Sequence, residues 1–215
     1  MKKILLSLSI VAVIGIVVVG ATSSYFSDTE NSTDNTFAAG TMDLDINGAD
    51  VATTTIVLAN LAPSDSGKDT DTVLKNSGSL DGELDVTMGA VINYPCTDST
   101  YGANDETEYC LADAGVLGAN AQMALYIDVD ETGTWTTNDI RLNSDQSTST
   151  SGVLIYDTID TYSGKTWNSA VATMQTDDEY KFVIDWKIPT TADNTIQGDA
   201  LKFNITFTLE QADAD

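Results

Sequence analysis

Residues 201–210 read LKFNITFTLE, and this stretch decides the fold class. Leu201, Phe203, Ile205, Phe207 and Leu209 alternate with Lys202, Asn204, Thr206, Thr208 and Glu210. Side chains of an extended strand point to opposite faces in turn, so this period puts five large apolar groups on one face. A helix would scatter them around its circumference. The same period recurs upstream. KFVIDWKI (181–188) lines up Phe182, Ile184, Trp186 and Ile188; ELDVTM (83–88) lines up Leu84, Val86 and Met88; TMDLDI (41–46) lines up Met42, Leu44 and Ile46. Asn47-Gly48 follows the last of these directly, a pair that favours a type I′ hairpin turn. TIVLAN (55–60), ALYIDV (124–129) and GVLIYDTI (152–159) are shorter strand candidates. Polar, glycine-bearing stretches at 63–72, 76–82 and 143–152 read as the loops between strands. Pro63, Pro95 and Pro189 fall near expected strand ends. Only residues 111–121 hint at helix. The expected fold is therefore all-β, a two-sheet jelly-roll-like sandwich over residues 36–215.

Composition narrows the function. The chain has 215 residues, 42% of them hydrophobic, enough for one real core. Its formal charge is -24. Such a surface repels nucleic acid and anionic lipid, so neither is expected as a partner. There is no histidine. That removes the commonest general base, the commonest zinc ligand, the Ser-His-Asp triad and the HExxH zinc motif. The 33 acids give no paired-carboxylate signal above background, and no catalytic residues are assigned. Trp135, Trp167 and Trp186 read as core or turn aromatics rather than a sugar platform. Asn31 and Asn204 head glycosylation sequons.

The N-terminus reads as an export signal, residues 1–23. Lys2 and Lys3 precede eighteen uncharged residues, 4–21, and small residues follow at Ala21, Thr22, Ser23 and Ser24. Signal peptidase is then a transient partner, and no membrane attachment remains after cleavage. A retained anchor is the alternative, since this length is also the lower edge of a spanning helix. Export places the chain outside the cell, where Cys96 and Cys110, its only two cysteines, are expected to pair. The closed loop is polar and acidic, and the bridge would stabilise it by about 3 kcal/mol on the loop-entropy account.

Three blocks carry a family likeness: YFSDTENSTDNTFAAGTMDLDI (25–46), NLAPSDSGKDTDTVLKNSGSLDGELDV (60–86) and WKIPTTADNTIQGDALKFNITFTLEQ (186–211). Together they resemble the TasA/camelysin family of exported biofilm-matrix proteins, to which archaeal bundling pilins look related. The middle of the chain, 93–176, matches loosely. The resemblance implies a jelly-roll subunit that polymerises with itself, head to tail, by donor-strand exchange. The implied donor strand is residues 24–35, with Ser24, Tyr25, Phe26, Ser27, Asp28, Thr29 and Glu30 at its heart. An extended polar segment with two aromatics can add to a neighbour's open sheet edge, and a head-to-tail contact that does not close makes a fibre. An unpaired tail is the alternative. The family name also carries a protease. With no histidine here, that activity is not carried over, and the chain is expected not to be an enzyme. A monomeric calcium-dependent adhesin is the rival, and a secreted metalloendopeptidase is the second.

One further motif stands apart. Residues 128–139 read DVDETGTWTTND, in the pattern D-x-D-x-T-G-x5-D. Asp128, Asp130 and Thr132 take positions 1, 3 and 5 of a calcium loop, Gly133 the sharp turn, Thr134 the carbonyl position and Asp139 the closing acid. Hard oxygen ligands on a tight turn suit calcium, the one expected cofactor. The flanks read as strand rather than helix, and an acidic hairpin turn is the alternative.

Overall fold

A computed structural model describes residues 40–49, 53–102 and 115–211. The expected signal peptide, the donor strand and Cys110 lie outside them.

Twelve strands are described, with one short α-helix and two 3-10 turns, Ile159–Tyr162 and Asn194–Ile196, between them. They are β1 (Leu44–Ile46), β2 (Thr53–Ala59), β3 (Ser66–Asn76), β4 (Gly82–Met88), β5 (Ile92–Tyr94), β6 (Gln122–Asp128), β7 (Ile140–Leu142), β8 (Thr148–Ser149), β9 (Asp157–Thr158), β10 (Thr166–Met174), β11 (Glu179–Lys187) and β12 (Ala200–Glu210). The helix, α1, is a single turn at Leu117–Asn120, within the stretch expected to show some helix. The strands form two antiparallel sheets in a sandwich-like arrangement. Among the described residues, the first sheet runs β1-β3-β11-β6-β7-β8, with β9 also on β6. The second runs β10-β4-β12-β2, with β5 also on β12.

The alternation that defines β12 does what period-2 patterning requires. Leu201, Phe203, Ile205 and Phe207 are buried, and Leu209 packs against the same core. Leu84, Val86 and Met88 of β4 lie beside them, fully buried. From the first sheet come Met123, Leu125 and Ile127 of β6 and Phe182 and Ile184 of β11. The sheets meet where the Phe182 and Phe207 rings pack edge to face, 5.0 Å between centroids. Asn47 and Gly48 both take positive φ, 55° and 73°, the backbone of the expected I′ turn.

Three expectations fail, the smallest being that the expected loop 143–152 contains the two-residue strand β8, Thr148–Ser149. Residues 63–72, read as a loop, contain the first half of β3. Its polar sequence hides the strand, because Lys68 forms a cross-strand ion pair with Asp185 (3.0 Å). A Cβ at Gly67 would lie 2.5 Å from the Trp186 ring, so glycine is what lets that ring lie against the strand. Conversely, GVLIYDTI is strand only at Asp157–Thr158. Val153 is 77% exposed and Ile155 47%. The Val153 carbonyl accepts from Arg141 Nη1 (2.5 Å) and the Gly152 carbonyl from Trp135 Nε1 (3.2 Å). Side chains thus take the backbone acceptors that a sheet neighbour would have used.

Two strand edges flank a groove. Among the described residues β2 is the end strand of its sheet, bonded to β12 on one side only. β1 covers β3 only at Leu74–Asn76, so residues 66–72 of β3 have β11 on one side and no described strand on the other. The groove between these edges holds about 310 Å³ and is lined by residues 55–58 of β2, Lys68 and Asp69 of β3, and Ile184 and Trp186 of β11. On the outside of the second sheet, four threonines stand in one register, Thr53, Thr206, Thr87 and Thr166. The outer two hydroxyl pairs are each 3.2 Å apart.

Candidate metal centre

β6 and β7 are antiparallel partners, with Ile127 opposite Ile140. That register makes Asp128 and Asp139 the next facing pair, at the mouth of the 129–138 loop. The sequence spacing therefore becomes spatial convergence. Asp128, Asp130 and Asp139 each present a carboxylate oxygen, and these lie within 4.8 Å of one another. Asp128 and Asp139 are fully buried, whereas Asp130 is exposed.

The loop backbone holds each carboxylate in place. Asp128 accepts from the N–H of Thr132 (3.1 Å) and of Gly133 (2.7 Å). Gly133, at φ 74°, is where the chain reverses. Asp139 accepts from the N–H of Val129 (3.2 Å) and of Thr136 (2.6 Å). Asp130 accepts from the Thr136 hydroxyl (3.0 Å) and Asn138 Nδ2 (3.2 Å), two partners that the spacing pattern did not mark. Asn138 adjoins Asp139 and Thr136 lies three residues before it, and both carry side chains that bond locally in turns, a signal that the calcium-loop spacing does not use. Thr132 and Thr134 engage each other, the Thr132 hydroxyl donating to the Thr134 carbonyl at 3.0 Å. A cation taking that carbonyl would turn the hydroxyl away.

Burial pushes the Asp139 carboxyl above its ordinary range, and the Asp128 and Asp130 charges add to this against the pull of two N–H groups. At Asp130 desolvation acts upward, but hydrogen bonds from Asn138, Thr132 and Thr136 outweigh it and hold the carboxyl low. Among the described residues the one ion pair is Lys68–Asp185, so no cationic side chain neutralises the cluster. Buried Asp199 is different. Its carboxylate accepts from the N–H of Cys96 (3.0 Å) and of Val116 (2.8 Å), a structural tie between loops.

A family profile described as camelysin metallo-endopeptidase matches residues 1–215. The chain belongs to that family. No curated protein matches the sequence. Camelysin family members are extracellular or surface-associated, and no helix among the described residues is long and apolar enough to cross a membrane. The camelysin description implies a catalytic metal. Zinc peptidase centres are built on imidazole nitrogen with a carboxylate, and this sequence has no histidine. The described cluster offers oxygen alone, which fits a hard cation and not a zinc peptidase centre.

Proposed function

We propose that the mature camelysin-family chain is the structural subunit of an extracellular fibre. Residues 24–35 of one copy insert beside the open strand edges of the next. The groove between β2 and the first half of β3 supports this reading, because it sets two edges without a described neighbour strand beside an apolar floor of Ile56, Leu58, Ile184 and Trp186. An added strand supplies backbone partners to an edge and side chains to the floor. The proposed occupant is chemically suited, uncharged on one side and ending in aromatics at Tyr25 and Phe26. Deleting residues 24–35 is expected to leave a folded β monomer that forms no filaments. Circular dichroism and electron microscopy check this, and unchanged filaments would refute the donor role. Dispersed particles from the intact secreted chain would favour the monomeric calcium-dependent adhesin, the reading that the carboxylate triad alone would support.

Within this reading the chain is not a catalyst, and its cation is calcium held by Asp128, Asp130 and Asp139 with oxygens of Thr132 or Thr134. Chelator-sensitive casein hydrolysis by the purified chain would overturn the first point. Export also implies a Cys96–Cys110 bridge. Cys96→Ser is expected to lower stability by about 3 kcal/mol while leaving both sheets intact, since the loop it closes is local. Non-reducing peptide mapping reads the bridge directly, and a free-thiol count near two per chain would count against it.

A further inference from the structure

Asn204-Ile205-Thr206 is the one glycosylation sequon among the described residues, and it lies on β12 rather than on a loop. Alternation turns Ile205 into the core and leaves Asn204 and Thr206 together on the outer face of the second sheet. Asn204 is exposed there. Its Oδ1 accepts from the Thr55 hydroxyl of β2 (2.8 Å), and no acceptor among the described residues meets its Nδ2. The packing of β12 rests on its odd positions and makes no use of this amide nitrogen. We propose that Asn204 is a glycosylation site: its Nδ2 carries a glycan whose first sugars lie over the outer face of the second sheet. Neither the fibre nor the cation enters this reading.

The surroundings leave room for such a group. Ile205 faces Met88 of β4, so Asn204 faces Gly89, whose N–H donates to the Asn204 carbonyl (2.8 Å). A Cβ at Gly89 would lie 3.9 Å from the Asn204 Cβ. Any larger residue would therefore stand beside the amide, and glycine leaves that side open. The Gly89 carbonyl accepts in turn from Gly164 (3.2 Å), a second residue with no side chain. The neighbours also suit a sugar. Two residues along the strand, about 7 Å away, Lys202 faces Val57 on one side and Ile92 on the other. These are 42% and 49% exposed, two of the five large apolar side chains left exposed among the described residues. The C–H faces of a sugar ring cover such groups and remove them from water. On the opposite side of Asn204 lies the register of Thr53, Thr206, Thr87 and Thr166, whose hydroxyls meet sugar hydroxyls. That register is uncharged, in a chain of formal charge -24.

The co-substrate is a glycan on a lipid-linked phosphate or diphosphate, presented by a membrane transferase to an exported chain. Asn204 Nδ2 bonds to the anomeric carbon as the bond from that carbon to the phosphate oxygen breaks. The nitrogen loses one proton, the lipid phosphate leaves, and nothing is oxidised or reduced. The Thr206 hydroxyl stands on the same side of the extended chain as the amide, which is why the sequon needs it two residues on. Transfer takes an extended segment, so it precedes the pairing of β12, and the finished sheet has only to accommodate the product.

The chain purified from the cells that export it tests this. Trypsin cuts after Lys202 and releases the segment that begins at Phe203 and holds Asn204. The expected result is that this peptide carries one or more sugar residues in most molecules, with fragmentation placing them on Asn204. Asn204→Gln and Thr206→Ala are each expected to lose the sugar, and Thr206→Ser to keep it, because the hydroxyl remains. Circular dichroism verifies the fold of each variant, and the unsubstituted chain decides alone if one of them fails to fold. A bare peptide from the exported chain would overturn the site. So would a sugar that maps to a threonine, or one that survives Thr206→Ala.

Discussion

Phe207→Ala is expected to destabilise the described domain by about 3–5 kcal/mol, the usual cost of emptying a buried phenylalanine site. Phe207 is 1% exposed and lies on β12 between Val86 of β4 and the ring of Phe182 in the facing sheet. Truncation removes the edge-to-face contact, the transfer free energy of the ring and the dispersion contacts of its neighbours together. Phe207 is held in register with Val86 of β4 and packs among fully buried neighbours of both sheets, so the cavity collapses little. Denaturant unfolding measures the effect as a shift of midpoint at constant slope. A loss under about 1 kcal/mol would mean that the sheets do not close on each other through this residue.

The second large effect is expected on removal of the calcium proposed for the Asp128, Asp130 and Asp139 carboxylates. An ion that binds the native chain and not the unfolded one stabilises it by RT ln(1 + [L]/Kd), about 4.1 kcal/mol at a thousandfold excess over Kd. The loop gives the reason to expect preferential native binding. Asp128 and Asp139 converge only once β6 and β7 pair, and their charges repel until something neutralises them. Chelation is therefore expected to lower the melting temperature, and Asp128→Ala combined with Asp130→Ala to remove that response. Screening of an acidic surface is the competing cause. Magnesium at equal ionic strength separates the two, because it demands a small octahedral shell and keeps its waters. Equal stabilisation by both ions, or a calcium response that survives the double substitution, would leave the loop as a hydrogen-bonded acidic turn.

The legible parts of this sequence are those in which one residue's environment is set by its own neighbours in the chain. β4, β11 and β12 bury one face each, and their alternation is visible without knowing what they pack on. The Asp128–Asp139 convergence was legible for the same reason, since a hairpin brings together residues eleven apart. β3 was not, because its first half is held by a distant Trp186 that only glycine at 67 accommodates, and by an ion pair with Asp185. The 152–156 stretch differs in the opposite sense. Its apolar composition is that of a strand, but Arg141 and Trp135 occupy its carbonyls. Camelysin-family membership was legible from three blocks of sequence, and the profile covers the whole chain. The groove left no local trace, because its walls belong to strands that are far apart in sequence.

The order of strands has a consequence for how such a chain acquires its structure. β11 joins β3 to β6, and β12 joins β4 to β2, so the last two long strands to be made are central in both sheets. Until residues 179–210 arrive, β2, β3, β4 and β6 lack these central partners, and every contact that closes the sandwich spans a long stretch of chain. Loop-closure entropy opposes such contacts before packing rewards them, which makes folding slow and late. A chain threaded N-terminus first through a narrow channel therefore cannot complete either sheet until its final strands follow. Over the same interval its edges are open to capture by any other extended chain.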